Sequence, residues 1–231
     1  METLLCDNLC KSYGNKLALN HVNLKIDEGK IVGLLGPNGS GKTTLIKLCS
    51  RLLVPSEGII NICGKQPSEE TKALVSYLPD RNFLPEWMNC NELLDMYGDF
   101  FADFDRNRAE EMLNSLNIDY GMALKKMSKG TKDKVQLVLT MSRHAKLYLL
   151  DEPIAGVDPA ARDYILNTIL ANYDEESTVI ISTHLIGDVE SILDEAVFLK
   201  EGKIVLHENA DELREEKSMS IDEYFREVFR C

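Results

Sequence analysis

An α/β fold is predicted, with a mixed or parallel sheet flanked by helices, an antiparallel β-layer ahead of it and an inserted α-helical region. Three observations predict it. Short, largely apolar runs at 31–35, 146–150 and 178–182 are too short for helices and read as strands covered on both faces, as in a parallel sheet. Between about 4 and 26 apolar residues alternate with polar ones, the mark of half-buried strands. From 83 to 143 strand alternation is absent and bulky side chains recur at helical spacing. At 231 residues and 44% hydrophobic the chain suits one large domain, read as a core of 1–82 and 144–231 with 83–143 inserted.

In chain order, Leu17, Leu19, Val22, Leu24 and Ile26 carry the alternation, and Tyr13-Gly14-Asn15 turns the chain back on itself. The run at 31–35 leads into Gly36-Pro37-Asn38-Gly39-Ser40-Gly41-Lys42-Thr43-Thr44, after which Leu45, Leu48, Leu52 and Leu53 fall on one helical face. Pro55-Ser56-Glu57-Gly58 closes that helix, 59–64 returns as a strand of the first layer, and 74–78 is a strand ending at Pro79. Phe83, Trp87, Met88, Met96, Tyr97, Phe100 and Phe101 then crowd one region of a chain only 7% aromatic, more than a small helical unit can bury, so a partly exposed patch for a partner is expected there. Asp158-Pro159 starts a helix, 196–206 reads as a hairpin through Glu201-Gly202, and Ser220-Ile221-Asp222-Glu223 is a capping box.

The stretch 36–44 fits G-x-x-x-x-G-K-[ST] at every position, and a strand precedes it while a helix follows, so a P-loop NTPase core binding a nucleoside triphosphate is expected. Its glycines let backbone N–H groups converge on phosphate oxygens at a helix N-terminus, Lys42 reaches the terminal phosphates, and the Thr43 hydroxyl suits Mg²⁺. Asp151 and Glu152 end the apolar strand 146–150, a costly place for two carboxylates unless they meet a cation or a reacting water. Asp151 is accordingly the expected Mg²⁺ residue and Glu152 the general base.

In this order of motifs the chain resembles the ATP-binding subunit of ABC transporters nearly end to end. The resemblance sets Met127-Ser128-Lys129-Gly130-Thr131 at the family's L-S-G-G-Q signature, with Ser128 and Gly130 on a γ-phosphate, and Ala155-Gly156-Val157-Asp158 at its D-loop, with Asp158 communicating across a dimer. It makes His184 the switch histidine beside Lys42 and Glu152 in the catalytic set, and Tyr13 the ring on adenine; alone, a histidine such as His184 is more often a satisfied core residue and a tyrosine such as Tyr13 more often a packing residue. Lys129 and Thr131 depart from the signature's glycine and glutamine, and Asp80 stands where the family has glutamine, a possible further Mg²⁺ ligand. One loop and one signature per chain imply a second ATPase subunit, a homodimer or a paralogue. The implied partner is a separate membrane-spanning permease, as in bacterial ABC-2-type exporters, with this chain cytoplasmic and peripheral at the inner face of the membrane; a soluble ABC ATPase of repair, translation or cofactor assembly is the alternative.

A net charge of −12 argues against a nucleic-acid partner, which would need clustered Lys and Arg. Six cysteines with no C-x-x-C pair and no His spacing typical of zinc read as scattered reduced thiols. No stretch has the pattern of a signal peptide or the length of a membrane span, so a soluble chain is expected.

Overall fold

A computed structural model describes residues 1–173 and 176–230; Cys231, one of the six cysteines, lies outside them. The chain runs β1 (Glu2–Tyr13), β2 (Lys16–Asp27), β3 (Ile31–Leu35), α1 (Lys42–Cys49), β4 (Glu57–Ile62), α2 (Glu69–Ala73), β5 (Val75–Leu78), α3 (Cys90–Phe100), α4 (Arg106–Ser115), α5 (Lys129–Met141), β6 (Leu147–Asp151), α6 (Pro159–Asn172), β7 (Thr178–Thr183), α7 (Ile186–Val189), β8 (Glu195–Lys200), β9 (Lys203–Asn209), α8 (Ala210–Lys217) and α9 (Ile221–Phe229).

The alternating N-terminal stretch builds one sheet of order β2-β1-β4, antiparallel throughout. The second sheet has the order β5-β6-β7-β3-β8-β9 and is parallel except for β9, which returns beside β8 through Glu201 and Gly202, both at positive φ. Two positive-φ residues make the tight turn whose twist matches a hairpin. Strands β3, β6 and β7 are buried at every position because helices or the first sheet cover both faces.

Helix α1 lies between the two sheets. Leu45, Ile46 and Leu48 meet Leu4, Leu9 and Ile26 on one side and Leu34, Leu149 and Ile180 on the other. Each such leucine contributes about 1.5–3 kcal/mol by leaving water. On the opposite face of the larger sheet Tyr148, Leu150 and Phe198 pack with Ile165, Leu213 and Ile221, and Phe225 meets Phe198 edge-on at 5.3 Å. A third core, Leu84, Leu93, Tyr97, Leu113, Val135 and Leu139, joins α3, α4 and α5. Helix α5 belongs to two cores, since Leu137 and Met141 face the sheet while Val135, Val138 and Leu139 face α3 and α4. It is the rigid link between the helical region and the strands.

Two local expectations need correction, and one helix is unexpected. Helix α1 ends at Cys49, earlier than the leucine spacing predicts; Ser50 caps it, Arg51 adopts φ 57°, and Leu52 is 58% exposed. Helix α2 goes unpredicted because its cap, Ser68 with Thr71, lacks the usual Glu or Gln. Leu17, placed on the buried face, is exposed at the start of β2.

Candidate functional site

The loop between β3 and α1 is held tight by backbone contacts that only glycine permits. Gly41 caps α1 at φ 115°, and a Cβ there would stand 2.7 Å from the Ala18 carbonyl oxygen; one on Gly36 would stand 2.4 Å from that of Leu199. No side chain caps α1 and its first turn holds no acid, so its leading N–H groups are available to an anion. Lys42 is 5% exposed and curls back into its own loop, its Nζ donating to the carbonyls of Gly36 (2.7 Å) and Pro37 (3.3 Å).

Strand β6 delivers the acids. Asp151 is fully buried; its Oδ1 accepts from Ser182 Oγ (2.6 Å) and Thr43 Oγ1 (3.1 Å), while its Oδ2, equally buried, has no partner. Burial pushes the Asp151 carboxyl above the usual carboxylate range, the bonds from Ser182 and Thr43 pull it down, and Asp80 and Glu152 push it up again. Glu152 turns the chain at φ 52° and its N–H donates to the Ser182 carbonyl at 3.0 Å. That strained turn aims its carboxylate inward, with Oε1 at 3.3 Å from Lys42 Nζ and Oε2 at 2.9 Å from His184 Nδ1. Lys42, Glu152 and His184, widely separated in sequence, form one chain of contacts.

A cavity of roughly 310 Å³ opens over Lys42 and Glu152, lined also by Tyr13, Asn38, Gly39, Thr43, Thr44 and Asp80, with Lys16 and Ala18 beside Tyr13; His184 and Asp151 lie outside its lining. Tyr13, 48% exposed at the end of β1, presents its ring to the cavity mouth. Ser40 is buried at the loop base, its hydroxyl unpartnered. Ser128 lies elsewhere: it caps α5, accepting from the Thr131 N–H at 3.1 Å, and neither it nor Gly130 lines the cavity. Asp158 stands before α6, its carbonyl accepting from the Arg162 N–H at 3.0 Å, and also lies outside the cavity. Sequence reasoning missed Ser182 and Tyr77. Ser182 is a hydroxyl that follows the apolar run Val179–Ile181 inside a fully buried strand, which was the available signal; the Tyr77 hydroxyl is buried without a partner, and burial, then Asp151 and Asp80, hold its phenol far up and protonated.

The donor set fits a hard cation, because a buried unpartnered carboxylate oxygen beside a threonine hydroxyl, with a second acid at Asp80, is what Mg²⁺ takes.

The sequence profile of the ABC transporter family matches residues 19–155, more than half of the chain. The chain belongs to the ABC transporter family. An uncharacterized ABC transporter ATP-binding protein of Bacillus subtilis, YxlF, is 30% identical over 224 residues, 94% of this chain and 75% of that protein. The lantibiotic transport ATP-binding protein SrtF of Streptococcus pyogenes is 31% identical over 215 residues, 90% of this chain and 91% of its own length. A solved structure of an ATP-binding subunit of an ABC transporter superposes with a TM-score of 0.87 at 26% identity, covering 99% of this chain and all of the other. As an ABC cassette the chain is an ATP-hydrolysing subunit, and its six-stranded sheet with the added three-stranded layer is that of its structural relatives. No helix among the described residues is long and apolar enough to cross a membrane.

Proposed function

We propose that this ABC ATPase binds Mg²⁺·ATP in the loop cavity, closes on a second ATPase subunit and drives a separate membrane-spanning permease, in the direction of export, from the inner face of the cell membrane. The observation that carries the reading is the Lys42–Glu152–His184 chain of contacts laid beside the unpartnered Asp151 oxygen. Gly36, Pro37, Asn38, Gly39, Ser40, Gly41 and Thr44 form the cradle, with the backbone N–H groups of all but Pro37, which has none, converging on the phosphates. Lys42, released from its own carbonyls and from Glu152, turns to the terminal phosphates, and Tyr13 stacks on the base. Thr43 and Asp151 hold Mg²⁺, with Asp80 as a further oxygen donor; the ion, when bound, neutralises phosphate charge. Glu152 accepts the proton of the attacking water, and His184 fixes its carboxylate from the other oxygen.

Ser128, Gly130 and Asp158 stand outside the cavity of their own chain, so they are assigned to the cavity of a second subunit, where the N-terminus of α5 faces the γ-phosphate. Coupling is assigned to a groove of about 440 Å³ between the helical region and the core, lined by Leu52, Phe83, Met96, Phe100, Phe101 and Arg143. Phe83, Trp87 and Phe100 are half exposed or more whereas Tyr97 is buried, so the bulky residues divide into core and surface members. A short helix of the permease suits the groove. Similarity to SrtF favours transport, and Lys129 and Asp80 favour the ABC-2-type exporters in particular.

Replacing Glu152 with Gln tests the assignment. The amide keeps the shape and cannot take the proton, so turnover falls by about 10²–10⁴ while Mg²⁺·ATP is retained and light scattering shows a stable dimer. Hydrolysis at the parental rate would remove Glu152 from the chemistry.

A further inference from the structure

Outside the nucleotide site, the three-stranded sheet brings together a thiol, an imidazole and a carboxylate from three different strands. Cys10 lies in β1, His21 in β2 and Glu57 opens β4; one ligand atom of each lies within 4.8 Å of the other two. We propose that Cys10, His21 and Glu57 bind a divalent transition-metal ion, Zn²⁺, that clips the three strands together.

The backbone brings these side chains together. Cys10 and Glu57 are directly paired across β1 and β4, after a register break that follows Asp7. On the other side β1 and β2 lose register between Leu9 and Lys11, and there His21 takes φ 50° with its N–H donating to Cys10 Sγ at 3.2 Å. A bulge with a non-glycine residue in the left-handed region is a device for re-aiming a side chain, and it aims this one at the sulfur. His21 Nδ1 lies 2.8 Å from Asn20 Oδ1; in the tautomer with its proton on Nδ1, that contact leaves the Nε2 lone pair for a metal, the second-shell arrangement of metal-bound histidines.

The donor chemistry selects the ion. Thiolate, imidazole and carboxylate together suit borderline-soft Zn²⁺ rather than Mg²⁺, which prefers oxygen. Around a tetrahedral ion with Zn–S of about 2.3 Å and Zn–N of about 2.0–2.1 Å, ligand atoms stand roughly 3.3–3.6 Å apart. With all its ligand atoms within 4.8 Å of one another, the present cluster is wider than that by at most about 1.5 Å, within reach of the exposed His21 and Glu57 side chains. No cation among the described residues pairs with Glu57, and the neighbouring ammonium of Lys11 is committed to the Val54 carbonyl at 2.7 Å. Cys6 and Cys49 cannot substitute, because both are sealed in the apolar core and burial raises their thiols, Cys49 to about 12. The fourth position is left to water.

Cobalt, which colours such sites, is the test. The chelator-treated full chain, titrated with Co²⁺, is expected to develop a saturable thiolate-to-metal absorption band at one equivalent, bleached by Zn²⁺. Cys10→Ser abolishes the band, and His21→Ala and Glu57→Gln each weaken binding by about tenfold or more, whereas Cys63→Ser leaves both unchanged. Each variant's ATP-induced rise in melting temperature confirms that it is folded. A band that survives in Cys10→Ser, or the absence of any saturable band in the parent, would overturn the site.

Discussion

Replacing Asp151 with Asn should stabilise the metal-free protein while destroying its response to Mg²⁺·ATP. Asp151 is fully buried, both hydroxyl donors reach the same oxygen, and the other oxygen has nothing to bond. A buried unsatisfied polar group costs about 1–3 kcal/mol, more when charged, and the amide keeps the bonds from Ser182 and Thr43 while removing the charge. The Asn NH₂ inherits the unpartnered position, so a net gain of about 1–2 kcal/mol is expected. For a chain of this length that corresponds to a melting temperature higher by about 2–8 °C. The dependence on pH has a definite sign. The Asp151 carboxyl titrates above its ordinary range, so ionising it in the fold costs stability in full above its folded pKa, and the cost is lifted as pH falls through that value. The advantage of Asn should therefore be widest near pH 8 and shrink as the pH falls through the raised pKa of the parent carboxyl and protonates it. With Mg²⁺·ATP in excess the order reverses, because only the parent is stabilised by binding. Calorimetry in chelator at pH 8 and pH 5, and again with Mg²⁺·ATP, reads all of this. A parent more stable than Asp151→Asn in chelator at pH 8 would refute the claim that this carboxylate is held, at a cost, for a cation.

Two further outcomes follow from the exposed rings. Tyr13→Ala should weaken ATP and GTP alike by about 1–3 kcal/mol, the size of a base–aromatic stack; unchanged titration curves for both would make Tyr13 a bystander. Phe83→Ser and Phe100→Ser, at 50% and 76% exposed positions that line the groove, should leave the melting temperature and ATP-driven dimerisation intact but lose the permease in a co-purification. A fall in stability with the permease retained would place the coupling surface elsewhere.

Much of this was legible in the sequence because its signals are local. Five-residue apolar runs gave β3 and β6, the loop motif fixed where α1 begins, and Asp158-Pro159 marked the start of α6. Endings were harder: Leu52 continues the helical spacing of α1 into a segment that Arg51 turns away from the core, and only the packing reveals it. Contacts across strands left no trace in spacing. Ser182 reaches Asp151 through the β6–β7 register, in which the two residues are paired, and Cys10 meets His21 and Glu57 only through bulges in β1. Which bulky residues are buried and which exposed depends on which face of α3 meets α5, so Tyr97 and Phe100, three residues apart, differ sharply in exposure although both line the groove. Ser128 and Gly130 illustrate a different limit, since their proposed ligand belongs to another chain.

The central claim, a nucleotide site shared between two chains, is tested most directly by mixing two inactive variants. Lys42→Ala lacks the phosphate lysine; Ser128→Asp sets a negative charge against the facing γ-phosphate yet keeps the cap on α5, because aspartate caps helices as well as serine does. In a mixed dimer one of the two sites regains an intact loop from one chain and an intact signature from the other. The account predicts negligible ATPase activity from either variant alone and a rate that peaks at equal proportions of the two. A mixture no more active than its components, or full activity from Ser128→Asp alone, would contradict it.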